Sequence, residues 1–359
     1  MDLEDELFVD DDQEMLDIIN FGFPRRNYER SEYFDSMDNF LFFRRFRLTK
    51  QTVLNFLKEI EDHIEYNNDL NNSLTPINQL LTTLRLYSCG NHQTAISDFI
   101  GCHQTTVSRT FRRVTRAICL TRPHHMRMPQ NEHEKLRIST DFYNISRFPK
   151  GIGCVDGTYI RIQSPGGDDA EVFRNRKGYF SINTQVVGDS QLKIQDIVAR
   201  WPGSAHDLTV FNNSRIRARF EGQEFQDSVL LGDNGYANRN YLLVPLLNPS
   251  NHAEELYNEA HIRTRNTIER LFGVWKRRFP ILAYGLRYKP ELASDIIVAT
   301  GILHNVAKEN NEDEPPLAEN INADELNYLI ELGNIPDVIE RRNPESRRWK
   351  PVLNSEIIL

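Results

Sequence analysis

The sequence predicts an α/β protein in which an all-α N-terminal domain precedes a mixed sheet flanked by helices. Three observations carry this expectation. Residues 49–119 place apolar side chains at helical spacing. Residues 151–201 hold three runs rich in β-branched and aromatic residues, parted by Gly, Pro, Asp and Ser. Beyond them a short helix, a further apolar run and a long basic helix follow in turn. A chain of 359 residues with 39% hydrophobic content has room for a main domain, a smaller one and tails. No apolar run approaches the ~18 residues of a membrane span, and the start, Met1-Asp2-Leu3-Glu4-Asp5, does not read as a secretory signal. Cys89, Cys102, Cys119 and Cys154 show no Cys-x-x-Cys spacing, so neither a zinc site nor a disulfide framework is expected, and a reducing compartment is the default.

The net charge of −8 is unevenly spread. Residues 1–20 carry nine acids and no Lys or Arg, and residues 309–359 carry twelve acids against five bases, which leaves +8 over 21–308. A basic body between acidic ends suits a nucleic-acid surface. Acidic ends that only keep the chain soluble fit the same numbers.

Residues 1–30 read as an acidic, poorly ordered segment and 31–125 as a helical domain. Thr49 is placed to cap a helix carrying Val53, Leu54, Leu57, Ile60 and Ile64. Pro76 suits the first turn of the next helix, with Leu80, Leu81, Leu84 and Leu86. A short helix over Thr94–Ile100 then breaks at Gly101-Cys102-His103, and a longer one runs from about Gln104. Its Val107, Phe111, Val114 and Ile118 form one buried line. Thr105, Ser108, Arg109 and Arg112 point elsewhere, the pattern of a helix-turn-helix that offers its second helix to DNA. An ordinary helix pair with a solvated basic face would look alike. Residues 126–150, with Glu132, Leu136 and Ile138 on a helix, read as a connector.

Strands are expected at about 151–163, 179–188 and 192–201, a helix near Ser204–Asp207, a strand ending at Asp233 and a long helix over about 258–279. Three adjacent strands followed by a crossover match an RNase H-like core across 151–308. Residues 309–359 read as an acidic tail with weak helix near Asp324–Leu332.

Within that core three acids stand out. Asp156 lies in the first strand, Asp233 at the end of the fourth, and Glu269 on the last helix. Open α/β sheets place ligands at the carboxyl ends of strands. Carboxylates brought together there can hold two divalent cations about 4 Å apart, which stabilise both oxygens of a phosphodiester displacement. Asp207 is a further candidate, with a rival reading in which Ser204 and Asp207 form a capping box. On the long helix Ile268, Leu271, Phe272, Trp275 and Phe279 form the apolar stripe, and Arg265, Glu269 and Lys276 lie at its edge. Arg176, Lys177, Arg265 and Lys276 are therefore candidate phosphate clamps. A solvated basic turn at 174–177, and a plain Arg265–Glu269 surface pair, are the alternatives.

Five ordered segments carry a family resemblance: Gly153-Cys154-Val155-Asp156-Gly157-Thr158, Asn175-Arg176-Lys177-Gly178, Trp201-Pro202-Gly203-Ser204-Ala205-His206-Asp207, Leu231-Gly232-Asp233-Asn234-Gly235-Tyr236 and Thr264–Gly273. The chain resembles the PIF/Harbinger transposases and the nucleases derived from them. The resemblance implies an RNase H-like DDE domain whose acidic triad matches Asp156, Asp233 and Glu269, with Asp207 matching a further acid of the metal site. It implies Mg²⁺ or Mn²⁺ as cofactor, DNA as substrate, a Myb-like companion protein and a nuclear location, with room for a cytoplasmic pool. Oligomeric state stays open, a homodimer included.

The expected activity is divalent-metal-dependent hydrolysis of DNA. The alternative is a domesticated, non-catalytic DNA-binding or scaffold protein that uses the helix-turn-helix.

Overall fold

The computed structural model describes residues 33–66, 73–89, 101–167, 170–318 and 321–335. Helices α1 (Tyr33–Ser36), α2 (Asn39–Phe46), α3 (Lys50–Ile64), α4 (Pro76–Cys89), α5 (Gln104–Leu120), α6 (Arg122–His125) and α7 (Glu132–Ser146) precede the sheet. Strands β1 (Gly151–Arg161), β2 (Ser181–Gly188) and β3 (Ile194–Pro202) follow, then α8 (Asp207–Asn212), α9 (Arg215–Glu221), β4 (Val229–Leu231) and β5 (Leu242–Leu243). The described residues end with α10 (His252–Arg278), α11 (Ile281–Tyr284), α12 (Pro290–Glu309) and α13 (Ala323–Leu332).

The N-terminal helices form where the sequence places them. Thr49 caps α3 by accepting from the Thr52 amide. Val53, Leu57, Ile60 and Ile64 are buried, but Leu54 is exposed and Phe56 takes the inward position. Pro76 opens α4. On α5 the four expected positions, Val107, Phe111, Val114 and Ile118, are all buried. The partner helix expected over 94–100 lies outside the described residues. On α7 Ile138 and Phe142 turn inward, whereas Leu136 is exposed.

The sheet has the order β3-β2-β1-β4-β5. Strands β1, β2 and β3 are antiparallel neighbours, and β4 and β5 are added parallel to β1. Three linked strands and a crossover are what the sequence predicts. The two-residue β5 is additional, because so short a run carries no periodicity. It is held by the His261 ring, whose Nε2 lies 3.0 Å from the Leu243 carbonyl.

One apolar core runs without a break from Met37 to Ala307 and joins the N-terminal helices to the sheet. Helix α12 is the link, packed against both α5 and β3. Asn305 on α12 also closes the outer edge of β3: it accepts from the Ile194 amide at 2.8 Å and donates to the Ile194 carbonyl at 2.6 Å. Each large apolar side chain buried this way contributes about 2 kcal/mol. No disulfide joins the four cysteines.

The stretch after 309, expected as an acidic tail, packs against the body as far as Ile335. Glu312 is buried against Arg278 at 3.3 Å and accepts from the Thr49 amide at 2.9 Å. Arg47 donates to the Pro316 carbonyl. Helix α13 then lays its C-terminus on β1. Gly333 accepts from the Tyr159 amide at 2.7 Å, and Asn334 bridges Thr158. This is possible because β4 pairs only with residues 151–154 and leaves the rest of that edge open.

Candidate active site

Asp156 sits in the middle of β1. Its Oδ1 accepts from the Gly157 amide at 2.7 Å. Strand alternation turns the even-numbered residues of β1 toward α10, so Cys154, Asp156 and Thr158 meet Thr267, Arg265 and Lys276. Asp233 follows β4 in the Gly232–Gly235 turn and accepts from the Gly235 amide at 3.0 Å. Cys154 and Leu231 are register partners, so two residues further along each strand lie Asp156 and Asp233.

Asp207 is the first residue of α8, and its Oδ1 accepts from Asn183 of β2 at 2.8 Å. The residue capping α8 is His206, with no side-chain cap bond, so the capping box of Ser204 and Asp207 does not form. The helix starts too late for it. Asp207 approaches β1 from the side opposite Asp156: a Cβ at Gly157 would lie 2.5 Å from Asp207 Oδ1 and 2.8 Å from Ile335 Cδ1. Glycine is thus required at 157 to let this carboxylate in.

The electrostatics tie these acids together. Burial pushes the Asp156 carboxyl well above the usual carboxylate range; Arg265 opposes this, and the charges of Asp233 and Asp207 add to it. Burial also raises Asp207, against Asn183, Arg176 and His206. Tyr236, fully buried in the turn after Asp233, has its phenol pushed upward by burial and then by Asp207, Asp156 and Asp233. One hydroxyl therefore lies within the field of all three acids. The sequence reading missed Tyr236 as part of the site, because a lone Tyr beside an Asn-Gly turn reads as core.

Glu269 is half-exposed on α10 and meets Asp156 only through Arg265. The Arg265 guanidinium lies 3.0 Å from Asp156 Oδ2 and 2.9 Å from Glu269 Oε1. The donor set is all oxygen, which suits a hard divalent cation. Among the described residues, however, no group of three or more His, Cys, Asp or Glu is gathered as around one metal ion. The position between Asp156 and Glu269 is taken by the guanidinium, a positive charge where a cation is expected.

The expected phosphate clamps divide. Arg176 is exposed and contacts His206 beside Asp207. Lys177, also exposed, donates to the Leu332 carbonyl at the end of α13. Arg265 and Lys276 are not on a solvent edge: they are 8% and 1% exposed. Lys276 donates to Thr158 Oγ1 at 2.7 Å, and burial, then the charge of Lys177, pulls it down to about 7. The buried face of α10 is broader than its apolar stripe and takes in Thr264, Arg265 and Lys276.

On α5, Thr105 and Ser108 are half-buried and Arg109 and Arg112 exposed. A groove of about 460 Å³ on this helix is lined by His63, Arg109, Arg112, Arg113, Arg116, Ala117 and Leu120. Arg113 is fixed by the His63 and Glu65 carbonyls and stacks on Tyr66.

The family match gives the class: residues 155–305 match the family described as DDE superfamily endonuclease. A human protein named "Putative nuclease HARBI1" is 30% identical over 300 residues, covering 83% of this chain and 85% of that protein. The bovine protein of the same name shares the same identity and coverage. An Arabidopsis thaliana protein named ALP1-like is 25% identical over 268 residues, 69% of this chain and 65% of its own. No solved structure matches the chain. The chain belongs to the Harbinger transposase-derived nuclease family.

Proposed function

We propose that this protein is a DNA endonuclease that hydrolyses phosphodiester bonds with Mg²⁺ or Mn²⁺. The observation that carries the reading is the match of residues 155–305 to the DDE endonuclease family, with Asp156 on β1 and Asp233 just past β4, two residues beyond the register partners Cys154 and Leu231. Asp156 and Asp233 would hold the ions, with Glu269 completing the set from α10 and Asp207 reaching in past Gly157. When bound, the ions would supply charge stabilisation for the attacking and leaving oxygens. The chain's own part is to fix these carboxylates through the Gly157 and Gly235 amides and Asn183. Arg176, exposed beside His206 and Asp207, is suited to orient a phosphate. The exposed arginines of α5 would bind the DNA backbone away from the site, with RNase H-like geometry relating the two. The same proposal includes a Myb-like companion protein and a nuclear location.

The test is nicking of supercoiled DNA with Mg²⁺ or Mn²⁺ by the wild type, Asp156→Asn and Asp233→Asn, with folding checked by circular dichroism. Both variants should lose on the order of 100-fold or more in rate. Equal cutting by all three would end the nuclease reading.

A second reading, a non-catalytic DNA-binding protein, is favoured by one observation: Arg265 already pairs with both Asp156 and Glu269. It requires that the folded wild type cut nothing with either ion while retaining salt-sensitive DNA binding.

A further inference from the structure

Arg265 touches both ends of the acidic set. Its side chain is 10% exposed, with one nitrogen on Asp156 Oδ2 at 3.0 Å and another on Glu269 Oε1 at 2.9 Å. These oxygens are the ones a divalent ion would need. A guanidinium and an ion cannot share them, because two positive charges a few ångströms apart in a largely buried place repel strongly. The arms of the bridge differ in burial. Asp156 is 13% exposed and Glu269 is 50% exposed. The solvent side, where Glu269 lies, is therefore the direction in which the guanidinium can withdraw from the ion's oxygens.

Resting on the metal-dependent reading above, we propose that Arg265 is a positioning residue that stands in for the ion. It holds Asp156 and Glu269 in place before loading, competes with the ion for both, and swings off Asp156 when the ion enters. The released guanidinium then lies beside the acids with its charge turned toward the substrate's phosphate. Metal affinity is thus set by this chain's own cation as well as by its carboxylates.

The experiment measures Mn²⁺ binding by titration calorimetry on full-length wild type, Arg265→Gln and Arg265→Lys, with melting curves in each state. Arg265→Gln should bind Mn²⁺ on the order of ten-fold more tightly than wild type, and Arg265→Lys should stay near wild type. Without metal, Arg265→Gln should melt lower, and Mn²⁺ should raise its melting temperature more than that of wild type. A folded Arg265→Gln that binds Mn²⁺ no more tightly than wild type overturns the proposal and leaves the metal reading standing. If no chain binds Mn²⁺, the metal reading falls and this proposal with it. Should Arg265→Gln not fold, the wild type still decides. The ¹⁵N guanidinium signal of Arg265 should move on Mg²⁺ titration, and a signal that stays fixed at saturating Mg²⁺ overturns the proposal.

Discussion

Lys276 is a cation fully enclosed between α10, β1 and the chain around Gly333. Its ammonium is held by Thr158, and a Cβ at Gly333 would collide with its Nζ. With the folded-state value at about 7 against about 10.4 in the unfolded chain, the unfolded state binds the extra proton between those limits. Stability should therefore rise with pH from 7 to about 10. Lys276→Met removes that slope, and at pH 7 and below it should be more stable than wild type by on the order of 2 kcal/mol. Urea unfolding across that pH range measures both. An unchanged slope would mean that Lys276 is charged throughout. The sequence pointed to the right segment here and misjudged the environment. The elements that carry Asp156, Asp233 and Glu269 were legible as a strand, the end of an apolar run and a long helix. Whether Arg265 and Lys276 face solvent was not, because a helix can bury a face wider than its apolar stripe when long side chains find polar partners inside.

At the scale of elements, the brevity of β4 governs what happens on β1. Its three residues leave Thr158 to Ile162 without a strand on the edge away from β2, and Gly333, Asn334 and Leu286 supply partners there. Lys177 and Tyr179 both bond the Leu332 carbonyl and so anchor α13 from the β2 side. A Cβ at position 333 would lie 2.9 Å from the Tyr159 carbonyl. Gly333→Val should detach this segment and speed exchange of the Tyr159 amide on the order of ten-fold or more. Hydrogen exchange with mass spectrometry reads that amide, and unaltered protection would show that the segment does not depend on Gly333. The helix itself was legible from residues 324–332. Its docking was not, since no local pattern reveals that a strand stops after three residues and leaves a gap to fill. The fold's outline fared better, because β1, β2 and β3 alternate or run apolar over eight residues or more.

Across the whole molecule, His125 joins three distant elements. Its ring lies 2.9 Å from Glu59 on α3 and 2.8 Å from Glu309 on α12, where Lys193 also pairs with Glu309 at 3.6 Å. Burial alone would lower this imidazole, but the hydrogen bonds and charges of Glu309 and Glu59 leave it raised. A raised folded-state value means the contribution is full below the unfolded value near 6.5 and fades as pH climbs through the folded one. Melting temperature should thus fall across this range in the wild type, and His125→Gln should flatten the decline. A variant that keeps the wild-type profile would assign the decline to other groups.

The uninterrupted core has a practical corollary for anyone who would dissect this protein. The region that matches the DDE endonuclease family begins at 155, yet α12 within it spends one flank on α5, far upstream. An excised fragment starting at 150 would bare that flank to water, together with Phe279 where it meets Tyr87. Such a piece should precipitate rather than fold, so the helices before the sheet are no removable accessory but one wall of the same room.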